Sequence, residues 1–168
     1  MKLPPPLKND CFALPPGHHW TSVDEAWAML GYAEELEFFK TIAAGDFKSA
    51  CEISKLEVLK VYERNAKETC DHYIEDVSAL DGITYWDDGA PGMSQLGDWR
   101  SRTADPYNDL EPVDASASAI AAQGLIRLGN YLGNAGKGKK YFQAGLTVAK
   151  TLFDEPYLST KRNHQGLL

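Results

Sequence analysis

Two short stretches of this chain hold the residue types that could engage a substrate. The first is Trp20 through Trp27, where a helix opens with Glu25 and Trp27 in its first turns. The second is Tyr85-Trp86-Asp87-Asp88, followed downstream by Trp99, Arg100, Arg102, Asp105 and Asp109. Aromatic faces beside carboxylates and arginines suit a sugar. The ring stacks on the apolar sugar face, and the charged groups bond hydroxyls or carboxylates. Each stretch also has a plain structural use. Ser22 and Glu25 have the capping-box spacing, in which two orphan amides at a helix start are satisfied reciprocally, with Trp27 as a core residue. Tyr85–Asp88 would then be a turn closed by Asx caps and anchored by its aromatics.

Other chemistries find no support. Gly133-Asn134-Ala135-Gly136-Lys137-Gly138 is glycine-rich, but it joins two helical patterns and lacks the strand that precedes a phosphate loop. No Gly-x-Ser-x-Gly elbow occurs. His18-His19, His72 and His164 have no metal-ligand spacing, so neither a metal nor a cofactor is expected, and His72 reads as solvent-facing or core-edge. Cys11, Cys51 and Cys70 are three cysteines at irregular spacing, which fits no disulfide framework and no zinc site. Cys51 and Cys70 lie in helical patterns and read as buried reduced thiols.

The elements that must position these residues are helical. Residues 1–20 carry Pro4-Pro5-Pro6 and Pro15-Pro16-Gly17 and read as an irregular N-terminal arm. A first helix begins at Thr21 or Ser22, with apolar positions at Ala26, Met29, Leu30, Ala33, Leu36 and Phe39 to Ile42. Gly45-Asp46 interrupts it, with Asp46 as the cap of a long helical stretch from Phe47 to Val77. Ile53, Leu56, Leu59, Tyr62, Ala66, Cys70, Tyr73 and Val77 share one face of that stretch.

From Asp81 to Pro112 the periodicity vanishes. A connection this long is uncommon in a compact domain, and its aromatics predict an ordered loop packed on the helices. Asp114 then caps a helix through Leu132, with Gly133 at its C-terminal position. The small residues from Ala115 to Ala122 let a neighbouring backbone approach closely. The last helix runs from Lys139 to Phe153, with Phe142, Leu146, Ala149 and Phe153 inward. The sum is an all-α chain of two helical hairpins joined by a long aromatic loop, with no alternation that supports a sheet.

Composition sets the outer limits. The chain has 168 residues, 43% hydrophobic and 24% charged, which suits one globular domain. A net charge of −7 argues against nucleic acid or an anionic membrane as partner. No apolar run approaches the roughly 18 residues of a membrane helix. The N-terminus lacks the apolar core of a signal peptide, so the cytoplasm is the expected compartment.

Several segments together resemble the unsaturated glucuronyl hydrolases and their relatives among the six-hairpin glycosidases. Glu25-Ala26-Trp27-Ala28-Met29-Leu30-Gly31-Tyr32 is similar to that family's RGQAWAxxG helix start, with Val23 in the arginine position and Glu25 in that of glutamine. Tyr85-Trp86-Asp87-Asp88-Gly89-Ala90-Pro91 resembles its YWDxxAP loop. Pro112 through Leu125 resembles its DSSAxAIAAxGLL helix, and His164-Gln165-Gly166-Leu167-Leu168 a later segment.

The resemblance implies an (α/α)6 toroid of twelve helices in six hairpins. Residues 21–168 are expected to form part of such a domain, corresponding to the family's C-terminal part. It implies hydration of the vinyl ether in a 4,5-unsaturated uronic acid at the end of an oligosaccharide, with that oligosaccharide as partner. It also implies Trp27 as a stacking residue; Glu25, Trp86 and Asp87 complete the expected substrate-binding set. The hairpins that carry the family's catalytic aspartates have no counterpart here. No residue is therefore assigned a catalytic role, and the chain alone is expected to be an inactive part of a glycosidase. The alternative is a non-catalytic carbohydrate-binding or scaffold protein built of helical hairpins. A toroid at about 11–12 residues per helix plus loops needs far more chain than this one, so exposed apolar faces and self-association are expected.

Overall fold

The computed structural model describes residues 21–48 and 53–160. The arm expected at 1–20, His18-His19, Cys11, Cys51 and the His164 segment lie outside the described residues. Among the described residues four α-helices form: α1 (Ser22–Thr41), α2 (Lys55–His72), α3 (Ala115–Leu132) and α4 (Lys139–Leu152). Among the described residues there is no strand, only isolated pairings of Thr21 with Asp87, Ser78 with Thr84 and Tyr85 with Val113.

The helices make two hairpins side by side. α1 lies along α3, α2 covers α1, and α4 covers α3. Small residues explain how closely the two central helices approach. A Cβ on Gly124 of α3 would lie 2.9 Å from the backbone of Met29 and Leu30 in α1. Ala26, Ala33, Ala117 and Ala121 are fully buried along the same seam. On the other side of α3, a Cβ on Gly129 would lie 2.6 Å from the backbone nitrogen of Phe142 in α4. Ala117 and Ala121 belong to the small-residue run, while Gly124 and Gly129 continue the close approach beyond it.

Three expectations need correction. α2 does not begin near Phe47 under an Asp46 cap. It begins at Lys55, where Ser54 and Glu57 form a capping box. Glu57 N donates to Ser54 Oγ at 3.2 Å, and Ser54 N donates to Glu57 Oε2 at 3.0 Å. Phe47, Lys48, Ile53 and Ser54 therefore fall outside the helix, and Ile53 and Leu56 are exposed rather than inward. The stretch also changes form after His72, where Tyr73–Val77 makes a wider π-helical turn that still buries Tyr73 and Val77.

The second correction concerns α4. Its inward face is Tyr141, Gly145, Val148 and Leu152, one residue away from the expected set. Leu146 and Phe153 are exposed, while Phe142 and Ala149 are half-buried. Gly145 sets this face, since a Cβ there would lie 2.7 Å from Ile126 and 3.0 Å from the Ala122 carbonyl oxygen. The third is the capping box at Ser22 and Glu25, which does not form. Thr21 is the N-cap of α1 and makes no side-chain cap bond, and both Ser22 and Glu25 turn to partners distant in sequence.

α3 agrees with its sequence. Asp114 Oδ1 accepts from Ala117 N at 2.8 Å, and Gly133 closes the helix with φ +92°. Cys70 is fully buried and unpaired, and burial pushes its thiol well above the usual range.

Candidate functional site

The start of α1, the end of α2, the start of α3 and the aromatic loop meet at one end of the hairpins. The loop leaves the π-helical turn and reverses at residues 79–83. Gly82, at φ +81°, allows that reversal, and its carbonyl accepts from the buried Tyr73 hydroxyl at 2.8 Å. Residues 84–87 then run extended between two helix starts. Asp114 N donates to Thr84 O at 2.8 Å, and Trp86 N donates to Pro112 O at 3.0 Å. On the other side, Ser22 N donates to Trp86 O at 3.0 Å.

A buried hydroxyl relay locks this arrangement. Ser22 Oγ donates to Tyr85 O at 2.5 Å, and Thr84 Oγ1 donates to Ser22 Oγ at 3.0 Å. Ser118 Oγ accepts from Thr84 N at 3.1 Å and donates to Asp114 O at 2.8 Å. All three hydroxyls are essentially out of water, so each bond replaces a desolvation cost that would otherwise stand.

The aromatics of the loop divide into anchors and exposed faces. Tyr85 and Trp99 are buried and meet edge to face, with ring centroids 5.5 Å apart. Arg100 lies over Trp99, its guanidinium carbon 4.5 Å from the ring centroid, and donates from Nε to Asp76 O at 2.6 Å. Arg102 donates to Leu96 O at 2.7 Å. Both arginines thus hold the loop. Asp105 caps Tyr107 N at 2.9 Å, and Asp109 is exposed.

The expected site residues sit as follows. Trp27 is 58% exposed and lies off the buried face of α1, which rules out the core tryptophan. Trp86 is 39% exposed, with its Nε1 donating to Glu111 Oε2 at 2.6 Å. Asp87 is half-buried. Its Oδ1 accepts from Gly89 N at 2.8 Å, an Asx turn, and its backbone pairs with Thr21.

Glu25 is only 8% exposed, and its Oε1 sits 2.7 Å from Nδ1 of His72. That hydrogen bond is the largest cause of the raised His72 pKa, and the charges of Glu25, Asp76 and Asp88 act in the same direction against burial. The loop pairing thus brings Trp86 and Asp87 to the helix start that carries Glu25 and Trp27. Val23, in the same turn, is half-buried against the core.

Two residues of the site carry no local signal in the sequence. His72 reads as an edge histidine and becomes the partner of Glu25. Glu111 lies in an ordinary Asp-Leu-Glu-Pro turn and becomes the buried carboxylate under Trp86. Pro91-Gly92 reads in the sequence as an ordinary turn signal and gives no hint of Glu111. Among the described residues, no group of three or more His, Cys, Asp or Glu could hold a metal ion. No helix of the described residues is long and apolar enough to cross a membrane.

No protein-family model matches this sequence, and no curated protein matches it. Among solved structures, the chain is similar to the unsaturated glucuronyl hydrolase, responsible for the degradation of glycosaminoglycan, from Bacillus sp. GL1. The two share 21% sequence identity and superpose with a TM-score of 0.55 over 82% of this chain. The matched region is 28% of the hydrolase chain, so this chain spans under a third of that relative. The likeness is one of fold: helical hairpins of an (α/α)6 toroid.

Proposed function

We propose that this chain forms a sugar-facing part of a glycosidase-type helical toroid and binds an oligosaccharide that carries an unsaturated uronic acid. The observation that carries this reading is the exposure of Trp27. A large aromatic on the second turn of a core helix presents more than half its surface to solvent, in the segment that resembles the family's sugar-lining helix. Trp86 presents a second, partly exposed face on the loop bonded to the same helix start. Two such faces at one end of a hairpin pair suit stacking on sugar rings.

The reading is one of binding before catalysis. Glu25 is tied to His72, and Asp87 closes its own turn. Neither carboxylate is placed as a free proton donor, and a general acid must reach the proton acceptor in the substrate. Hydrolysis of the uronide by vinyl-ether hydration is the activity expected of the whole toroid. The chain alone is proposed to be inactive. That engagement of both carboxylates is what favours the second reading, a non-catalytic carbohydrate-binding or scaffold protein.

Calorimetry and tryptophan fluorescence with a 4,5-unsaturated glucuronyl disaccharide test the binding. We expect saturable quenching, with Trp27→Ala and Trp86→Ala each weakening affinity by about fivefold to tenfold, the range for one aromatic contact. Unchanged affinity in both variants would sink the proposal. The ultraviolet absorbance of the unsaturated uronate should persist on incubation with the chain, and its loss would show that the chain is itself a hydrolase.

A further inference from the structure

We propose that Glu111 is the positioning residue of the sugar-facing loop, holding the Trp86 indole so that its ring face, and not its N–H, meets the ligand. The proposal rests on the sugar-binding reading above. Glu111 is a carboxylate with 8% of its surface exposed. Burying such a group is costly unless its oxygens are bonded. Both are: Oε2 accepts from Trp86 Nε1 at 2.6 Å, and Oε1 accepts from Gly92 N at 2.7 Å. A turn needs no buried charge to close, and neutral caps serve elsewhere in this loop, as Asn108 shows. Its Oδ1 accepts from the Leu110 and Glu111 amides at 2.9 and 2.8 Å.

Three further features converge on the same indole. Trp86 N donates to Pro112 O at 3.0 Å, so its backbone is fastened to the residue next to Glu111. Asn108 Nδ2 donates to Glu111 O at 2.8 Å and to Asp105 O at 2.6 Å, fixing the main chain that carries the carboxylate. Gly92 leaves room for the carboxylate, since a Cβ there would lie 2.6 Å from Glu111 Oε1 and displace that side chain. The result is a tryptophan held at backbone and ring nitrogen, with 39% of its surface still exposed.

Two consequences follow for the ligand. The indole N–H is already used, so Trp86 offers no hydrogen-bond donor to a sugar hydroxyl. An N–H bonded to a carboxylate also leaves more electron density on the ring, which favours the C–H face of a sugar over an anionic edge. A ring fixed in advance loses less side-chain entropy on binding.

The test uses the full chain, the 4,5-unsaturated glucuronyl disaccharide and four variants: Trp86→Ala, Glu111→Ala, Glu111→Gln and the double variant Trp86→Ala with Glu111→Ala. Glutamine keeps the shape and one acceptor, so Glu111→Gln remains informative if Glu111→Ala does not fold. The indole N–H resonance of Trp86, assigned by its loss in Trp86→Ala, should lie downfield and exchange slowly. In Glu111→Gln it should move upfield and exchange faster; an unmoved resonance overturns the proposal. Glu111→Ala should weaken binding as much as Trp86→Ala, and the double variant no further. A full additional loss in the double variant would mean that Glu111 acts on the fold at large and not through Trp86. If the wild type does not bind the disaccharide, or Trp86→Ala binds it unchanged, the sugar-binding reading fails. The indole resonance still decides whether Glu111 positions the ring.

Discussion

Helices α1 and α2 both open on Ser-x-x-Glu, and the two serines do different work. Ser54 and Glu57 satisfy each other at an exposed helix start, through bonds three residues apart. Ser22 is 2% exposed and gives its hydroxyl to Tyr85, sixty-three residues away, while Glu25 reaches His72. Burial is what separates them. At an exposed start the best partner for an orphan amide is the nearest side-chain oxygen. At a buried start, carbonyls and ring nitrogens brought in by other elements need partners too, and leaving them unpaired costs more than a missing cap. The α1 start is therefore part of the candidate site, whereas the α2 start only begins a helix.

The sharpest way to break this contrast is to remove both serine hydroxyls in turn. Ser22→Ala should destabilise by about 1–2 kcal/mol, the cost of a buried bond lost where Thr84 Oγ1, 2.9 Å from Tyr85 O, can turn to replace part of it. Ser54→Ala should cost about 0.5–1 kcal/mol, since water can reach its amides. Urea denaturation at one pH measures both. Equal losses would mean that burial is not the distinguishing factor.

A second effect is smaller and concerns Glu25. Because its bond raises the His72 pKa, the stability it contributes is complete below the ordinary histidine value of 6.5 and is lost as pH rises through the raised folded value. Half-exposure of the His72 side chain keeps the effect small. The stability difference between wild type and His72→Gln should therefore shrink as pH rises above about 6.5. A difference that stays constant, or grows, over that window would refute the charged pair. Nothing comparable should appear for Glu57, which has no titrating partner in that range.

The smallest expected signal comes from the outer surfaces. Phe38, Leu56, Leu80 and Phe153 are 59–72% exposed. We propose that such faces drive weak self-association, seen as a rise of apparent mass with concentration in light scattering. A constant monomer mass up to high concentration would count against it.

Much of the helical frame is legible from local chemistry. Asp114 with Gly133 delimits α3 because an N-cap side chain and a left-handed C-terminal residue act within a few residues of their targets. The apolar spacing of Ala26, Met29, Leu30, Ala33 and Leu36 is the buried face of α1 for the same reason. The α4 face is missed by one residue because its centre is Gly145, and glycine contributes nothing to a count of apolar side chains. Trp27 and Trp86 are visible as candidates. That Trp27 is exposed and not core agrees with the same α1 spacing, since position 27 falls about 100° around the helix from fully buried Ala26 and outside the apolar stripe.

The sequence by itself determined the helical class, the Asp114 start and Gly133 end of α3, a run of small residues that permits a close approach, and a loop too aromatic to be idle. These follow from interactions between residues within about one turn of each other. Only the tertiary structure decided the partners. It took Ser22 and Glu25 from their own helix start, placed Glu111 beneath Trp86, and set His72 against Glu25. Each outcome depends on which polar groups are buried together, and burial joins groups from 25 to 63 residues apart that carry no mutual signal along the chain.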